Sequence, residues 1–274
     1  FPYERRGWAN GWVMCGFAFV QVVAVPIGTI LAEQYGFRSP FILFSAVAAI
    51  SFLLILTVIP QPPVNHDCER LSVKYVLKSY LKLLSKQKIL NAGLVYATML
   101  FAVSSFTVFF PTWLERELSM SPSATATLFI IGGLANILIG PQAGRWSDKV
   151  GRKPMILASC LLSAIVFTIT PFVVSGLLSA YAVFFLIMML LALRLSPLQA
   201  LLTTLVPDNQ RGSLMSLVVA IGQLGGGFGG AIAGIAFAQF NFLGNAILAA
   251  ISITATGLIV WYGLSEPERA EVTS

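Results

Sequence analysis

The chain has 274 residues, 57% of them hydrophobic and only 10% charged, with a mean hydropathy of +0.85. An ordinary soluble domain carries about 25% charged residues, so a water-soluble fold is excluded. The formal net charge of +6 would suit nucleic acid, but the basic residues are divided among short connections between apolar runs and form no patch with interleaved aromatics, which excludes that partner too.

A helix needs about 20 mainly apolar residues to cross a bilayer, because lipid offers no partner to backbone N–H and C=O groups. Eight stretches qualify: Trp8 to Ala32, Pro40 to Ile59, Asn91 to Trp113, Pro122 to Ala143, Pro154 to Val174, Leu178 to Val206, Gly212 to Phe240 and Phe242 to Leu264. The predicted fold is therefore an all-α membrane protein with eight transmembrane helices. Its short connectors force neighbouring helices to run antiparallel.

The first helix carries Gly16, Pro26 and Gly28, read as packing positions. Between the second and third lies the one long hydrophilic stretch, Gln61 to Lys88, with Lys74, Lys78, Lys82 and Lys86 opposite Val73, Val76, Tyr80 and Leu84. That pattern suits an amphipathic helix lying on the cytoplasmic leaflet, or a solvated charged helix. It divides the chain into residues 1–60, a linker over 61–88, and residues 89–274.

In the third helix Asn91, Thr98, Ser105 and Thr112 recur every seven residues, and Phe109 falls on nearly the same face. The stripe is read as a polar and aromatic wall for a solute, against the default in which each hydroxyl bonds its own backbone. Tyr96, Asn136 of the fourth helix and Gln199 of the sixth are further candidates. Arg194 stands apart, since a charge in mid-helix costs at least about 2.5 kcal/mol in lipid unless it meets a cavity or a partner. It either binds solute or caps carbonyls freed at the Pro197 break. No Asp or Glu lies in any predicted span, so its counter-charge belongs to other segments or to an anionic solute. In the seventh helix Gly222, Gly226, Gly230 and Gly234 recur every four residues, which would let a neighbouring backbone approach closely.

Cys15, Cys68 and Cys160 have no paired spacing and are read as packing residues, with no metal or other cofactor expected. Of the 17 Lys and Arg, 14 fall on one side of the eight spans, which the positive-inside rule assigns to the cytoplasm together with the linker and the C-terminus. The chain opens on Phe1 to Arg6 without a visible signal peptide. At an offset of 205 residues, Pro2 matches Pro207, Arg6 matches Arg211, Gly7 matches Gly212 and Pro62 matches Pro267, so the first two helices repeat as the last two. If the last pair closes a six-helix unit, the first pair closes another whose first four helices are absent here, and a parent of twelve is expected.

Gly144-Arg145-Trp146-Ser147-Asp148-Lys149-Val150-Gly151-Arg152-Lys153-Pro154 resembles the D-R-x-G-R-R/K cytoplasmic loop signature of the major facilitator superfamily, with Lys149 and Trp146 at positions where the family usually has Arg and Leu. Pro2 to Gly7 and Pro207 to Gly212 are similar to the P-x-x-x-R-G turn before its fifth and eleventh helices. The Gly/Pro-rich first helix is similar to the fifth helix of drug and metabolite exporters, with Val25-Pro26 and Gly28-Thr29 where that motif has Gly-Pro and Gly-Gly.

The resemblance implies a monomeric, prokaryotic inner-membrane carrier for a small organic solute, working by alternating access in the efflux direction, with a coupling ion as a further partner besides lipid. It implies a conformational gating role for Gly144, Arg145, Asp148, Lys149, Gly151, Arg152 and Lys153, with Arg6 and Arg211 in the matching turns. Substrate contact is expected at Arg194, Thr98, Ser105, Phe109, Asn136, Tyr96 and Gln199. No span holds a Ser/His/Asp set, a zinc motif or a nucleotide loop, so an enzyme is not expected. The competing reading is a ligand sensor or an inactive scaffold.

Overall fold

The computed structural model describes residues 19–58, 80, 84–203, 205–206 and 210–264, the side chains of Gln21, Asp148 and Thr203 excepted. Arg6, the early part of the first predicted helix and nearly all of the linker lie outside the described residues. A π-helical turn, Val20–Ala24, leads into α1 (Val25–Tyr35), followed by α2 (Ser39–Val58), α3 (Gln87–Thr107), α4 (Phe110–Glu117), α5 (Pro122–Val150), α6 (Arg152–Val173), α7 (Leu177–Thr203) and α8 (Arg211–Gly263). The described fold is all-helical, as expected. Six of its helices are long and apolar enough to cross a membrane as separate runs, where eight were expected.

The difference has two sources. Only residues from 19 onward represent the first predicted span. The last two are fused in α8, whose 53 residues would stretch about 80 Å if straight, against about 30 Å of hydrocarbon. α8 instead reverses at Asn241, which adopts φ 54° and ψ −160°. Its first arm runs alongside α3 in the same sense, with Ile221 beside Gly93 and Phe109 beside Gly234. Its second arm runs back, with Asn245 bonded to Ser105 and Gly263 to Asn91. The two arms are therefore antiparallel neighbours of one helix.

Proline sets the other irregularities. Pro26 has no N–H to give the carbonyl of Val22, and the helix upstream widens so that Val25 N–H reaches Val20 O. Pro111 likewise leaves the Thr107 carbonyl without its donor, so the third predicted helix is not continuous: it breaks at Val108–Phe109 and restarts as α4. A third departure lies at the basic motif. Gly144 to Val150 is not a loop but the last turns of α5, and only Gly151, at φ 108°, separates α5 from α6. A β-carbon is strained at that φ, which accounts for glycine there.

Packing centres on α3. Phe106, Phe110, Phe167, Phe184 and Phe242 form a buried aromatic cluster joining α3, α4, α6, α7 and α8, with Trp113 stacked on Phe242 at 4.7 Å. By contrast, α2 buries no residue, and its apolar residues beyond Pro40 all stay exposed, with Phe44 lying against Gly28 of α1.

Candidate functional site

The basic motif draws three helix ends together. Lys153, in the first turn of α6, donates from Nζ to Trp261 O at 2.7 Å and Leu264 O at 2.8 Å, at the C-terminal end of α8. Arg152 donates to Ala200 O, near the end of α7, at 3.3 Å. Each cation thus meets carbonyls at or near a helix C-terminus, where the helix dipole favours positive charge. At the end of α5, Ser147 Oγ donates to Gly144 O at 2.7 Å and Gly151 N–H to Ser147 O. A β-carbon on Gly144 would lie 3.4 Å from Ser196 Oγ, an ordinary contact distance, so α7 passes close to Gly144 without requiring glycine there. Arg145 and Lys149 are exposed, and Arg211 begins α8 at the same end.

Inside the bundle the polar candidates part company. Thr98 and Ser105 do not face open space: Ser252 Oγ donates to Thr98 O, Thr256 Oγ1 to Thr98 Oγ1, Ser105 Oγ to Gly229 O and Asn245 Nδ2 to Ser105 O. Asn91 continues the same seam through Gly263 O. Asn91, Thr98 and Ser105 of the seven-residue stripe thus form a row of hydrogen bonds tying α3 to both arms of α8, while Thr112 falls in α4 beyond it. Phe109 stacks on Phe237 at 5.1 Å, also toward α8.

Tyr96 and Gln199, on α3 and α7, are brought face to face. The Tyr96 hydroxyl is buried and makes no hydrogen bond among the described residues. Asn136 is half-buried in α5. Arg194 is 1% exposed and turned toward α6, where its NH1 donates to Ser163 Oγ at 3.0 Å. It caps no carbonyl at Pro197 in the described contacts, and it stands apart from the Tyr96–Gln199 pair.

Two features escaped the sequence reading. One is an outer rim on α4: Glu115 accepts from Thr125 Oγ1 at 2.7 Å, Arg116 sits over the Phe237 ring, and Glu117 accepts from Asn241 Nδ2 at 2.7 Å. Acidic residues after an apolar run read only as a helix end, so nothing in the sequence signalled these partners. The other is an apolar groove of about 530 Å³ between α5 and α7, lined by Ile131, Tyr181, Phe185, Leu186 and Met189 among others and not including Arg194.

Long apolar helices with ends gathered by cations at one face, and a polar pair held between α3 and α7, fit a multi-pass integral membrane protein. The sequence profile of the Major Facilitator Superfamily matches residues 1–115 and 92–274, and the chain belongs to that family, whose members are transporters and not enzymes. It is 27% identical to the uncharacterised MFS-type transporter YceJ of Bacillus subtilis over 89% of this chain and 62% of that protein. To the multidrug resistance protein MdtG of Proteus mirabilis it is 26% identical, over 98% of this chain and 67% of that protein. The chain thus spans about two thirds of the length of these relatives. A solved D-xylose-proton symporter shares the fold at a TM-score of 0.73 and 18% identity, covering 97% of this chain and 65% of that one. A bacterial homologue of the iron transporter ferroportin, in an inward-facing state, does so at 0.68 and 14%, with the same coverage.

Proposed function

We propose that the chain is part of a secondary active transporter that exports a small organic solute by alternating access, coupled to an ion gradient. The observation that carries this reading is the cationic clasp, in which Arg152 and Lys153 hold carbonyls near the ends of α7 and α8. Hydrogen bonds that gather the ends of α6, α7 and α8 fasten one end of this bundle, which can then move as a unit when it rocks against another. Multidrug resistance relatives support export, and the apolar, aromatic lining of the α5–α7 groove suits an organic solute.

In this reading eight helices cross the bacterial inner membrane, the two arms of α8 counting separately, and the basic ends face the cytoplasm. Residues 1–60 supply the last two helices of one bundle and residues 89–274 a second bundle of six. Tyr96 and Gln199 meet the solute, because a buried unpartnered hydroxyl opposite an amide is available for a ligand, whereas Thr98 and Ser105 serve the α3–α8 seam.

Ethidium efflux from cells expressing the full chain tests the proposal. Energised cells should lose the dye faster than vector controls. Lys153→Gln should slow that loss several-fold while leaving the amount of folded protein in the membrane near the wild-type level. Equal loss of folded protein and of efflux would remove the gating role, and dye binding without flux in the wild type would favour the sensor.

A further inference from the structure

Arg194 lies nine residues from the cytoplasmic end of α7, about 14 Å along the axis and close to the centre of the hydrocarbon. Its neighbours Cys160 and Ser163 are one turn apart on α6. All three are sealed, Arg194 and Ser163 at 1% exposure and Cys160 at 2%. NH1 donates to Ser163 Oγ, the Cys160 thiol lies beside the guanidinium, and Nε has no partner among the described residues.

The chemistry of this cluster is one-sided. Because Ser163 oxygen already accepts from Arg194, its own proton is left to give, and Cys160 and the arginine Nε bring S–H and N–H donors. The neighbouring Ser159 hydroxyl is spent on Ile156 O. The cluster therefore offers three donors and one positive charge. Among the described residues the carboxylates of Glu33, Glu115 and Glu117 all lie near helix ends, and none pairs with Arg194. A buried charge without a counter-charge is too costly to persist in a low-dielectric interior.

We propose that Arg194, Ser163 and Cys160 form an internal site between α6 and α7 for a compact monovalent anion of chloride size. The single charge of Arg194 sets the valence, and the closure of all three side chains favours an ion over an organic acid. Binding neutralises Arg194 and joins α6 to α7 in mid-membrane. The inference stands apart from the direction or substrate of transport, because it concerns the stability of this bundle.

Thermal unfolding of the purified full chain in detergent, followed by tryptophan fluorescence, tests it in sodium chloride and sodium gluconate at matched ionic strength. Wild type should unfold at a higher temperature in chloride, with a saturable dose response, and bromide should substitute. Arg194→Gln should abolish the difference, and Ser163→Ala should raise the half-saturating chloride concentration several-fold. A wild-type Tm equal in the two salts overturns the proposal. So does a chloride response that survives unchanged in Arg194→Gln or, if that variant does not fold, in Ser163→Ala. Stabilisation by acetate but not by chloride would also overturn it, because the site would then take a carboxylate.

Discussion

Single atoms decide the contact between α3 and the first arm of α8. A β-carbon on Gly225 would lie 2.3 Å from the Ala97 carbonyl oxygen, and one on Gly229 would lie 2.6 Å from that of Phe101. Both clashes are with backbone, which cannot step aside. At Gly226, Gly230 and Gly234 the nearest atoms are 3.6, 3.4 and 3.5 Å away, and at Gly222 the crowding is with side chains. The four-residue recurrence in the sequence pointed to the right helix and the right kind of contact, but to a face one residue away. Spacing reports which residues share a face, and not which of two adjacent faces is pressed closest. Gly225→Ala and Gly229→Ala should each destabilise the bundle by about 1–3 kcal/mol, the usual range for overpacking, whereas Gly226→Ala should change stability little. Thermal unfolding of the four proteins in one detergent measures the contrast, and equal effects at Gly225 and Gly226 would refute the assigned contact face.

Helix breaks were legible where a turn residue announced them and illegible where only a donor was lost. The reversal of α8 falls at Asn241, between the two predicted spans, because an Asn between two apolar runs marks a turn. Its geometry shows why Asn serves there. Asn241 Oδ1 accepts from Phe242 N at 2.7 Å, Nδ2 donates to Glu117, and φ is 54°. Asparagine tolerates that region because its short polar side chain bonds locally. Asn241→Ala loses both bonds and keeps the strained φ, so it should lower the Tm more than Asn241→Gly, which loses the bonds but relieves the strain. If alanine proves the milder change, the hairpin does not depend on this conformation. The break before α4 gave no such notice, because the run around Pro111 stays apolar and periodicity does not count N–H donors. The same blindness let the basic motif pass as a loop, since charges at a membrane surface look alike on a helix end and on a coil.

At the scale of the molecule, family and architecture were readable because they reside in local signatures and in the alternation of apolar runs. The side-chain facings were not, because they depend on how helices are rotated against one another. Arg194 could be recognised as anomalous from its surroundings in sequence, yet only packing shows that it faces Ser163 on α6. The orientation in the membrane is a further whole-molecule property, and it follows from charge. The ends gathered by Arg152 and Lys153 belong to the side predicted to carry 14 of the 17 basic residues, which the positive-inside bias and anionic lipid predict to be the cytoplasmic one. The connection between α6 and α7, where Ser175 is exposed, is then predicted to face outward, and exposed Arg145 at the other end of the bundle to face inward. In a background with Cys15, Cys68 and Cys160 replaced, a membrane-impermeant maleimide should label Ser175→Cys in intact spheroplasts. It should reach Arg145→Cys only after permeabilisation. The reverse pattern would place the clasp outside, and a cytoplasmic gating role for it in export would have to be abandoned.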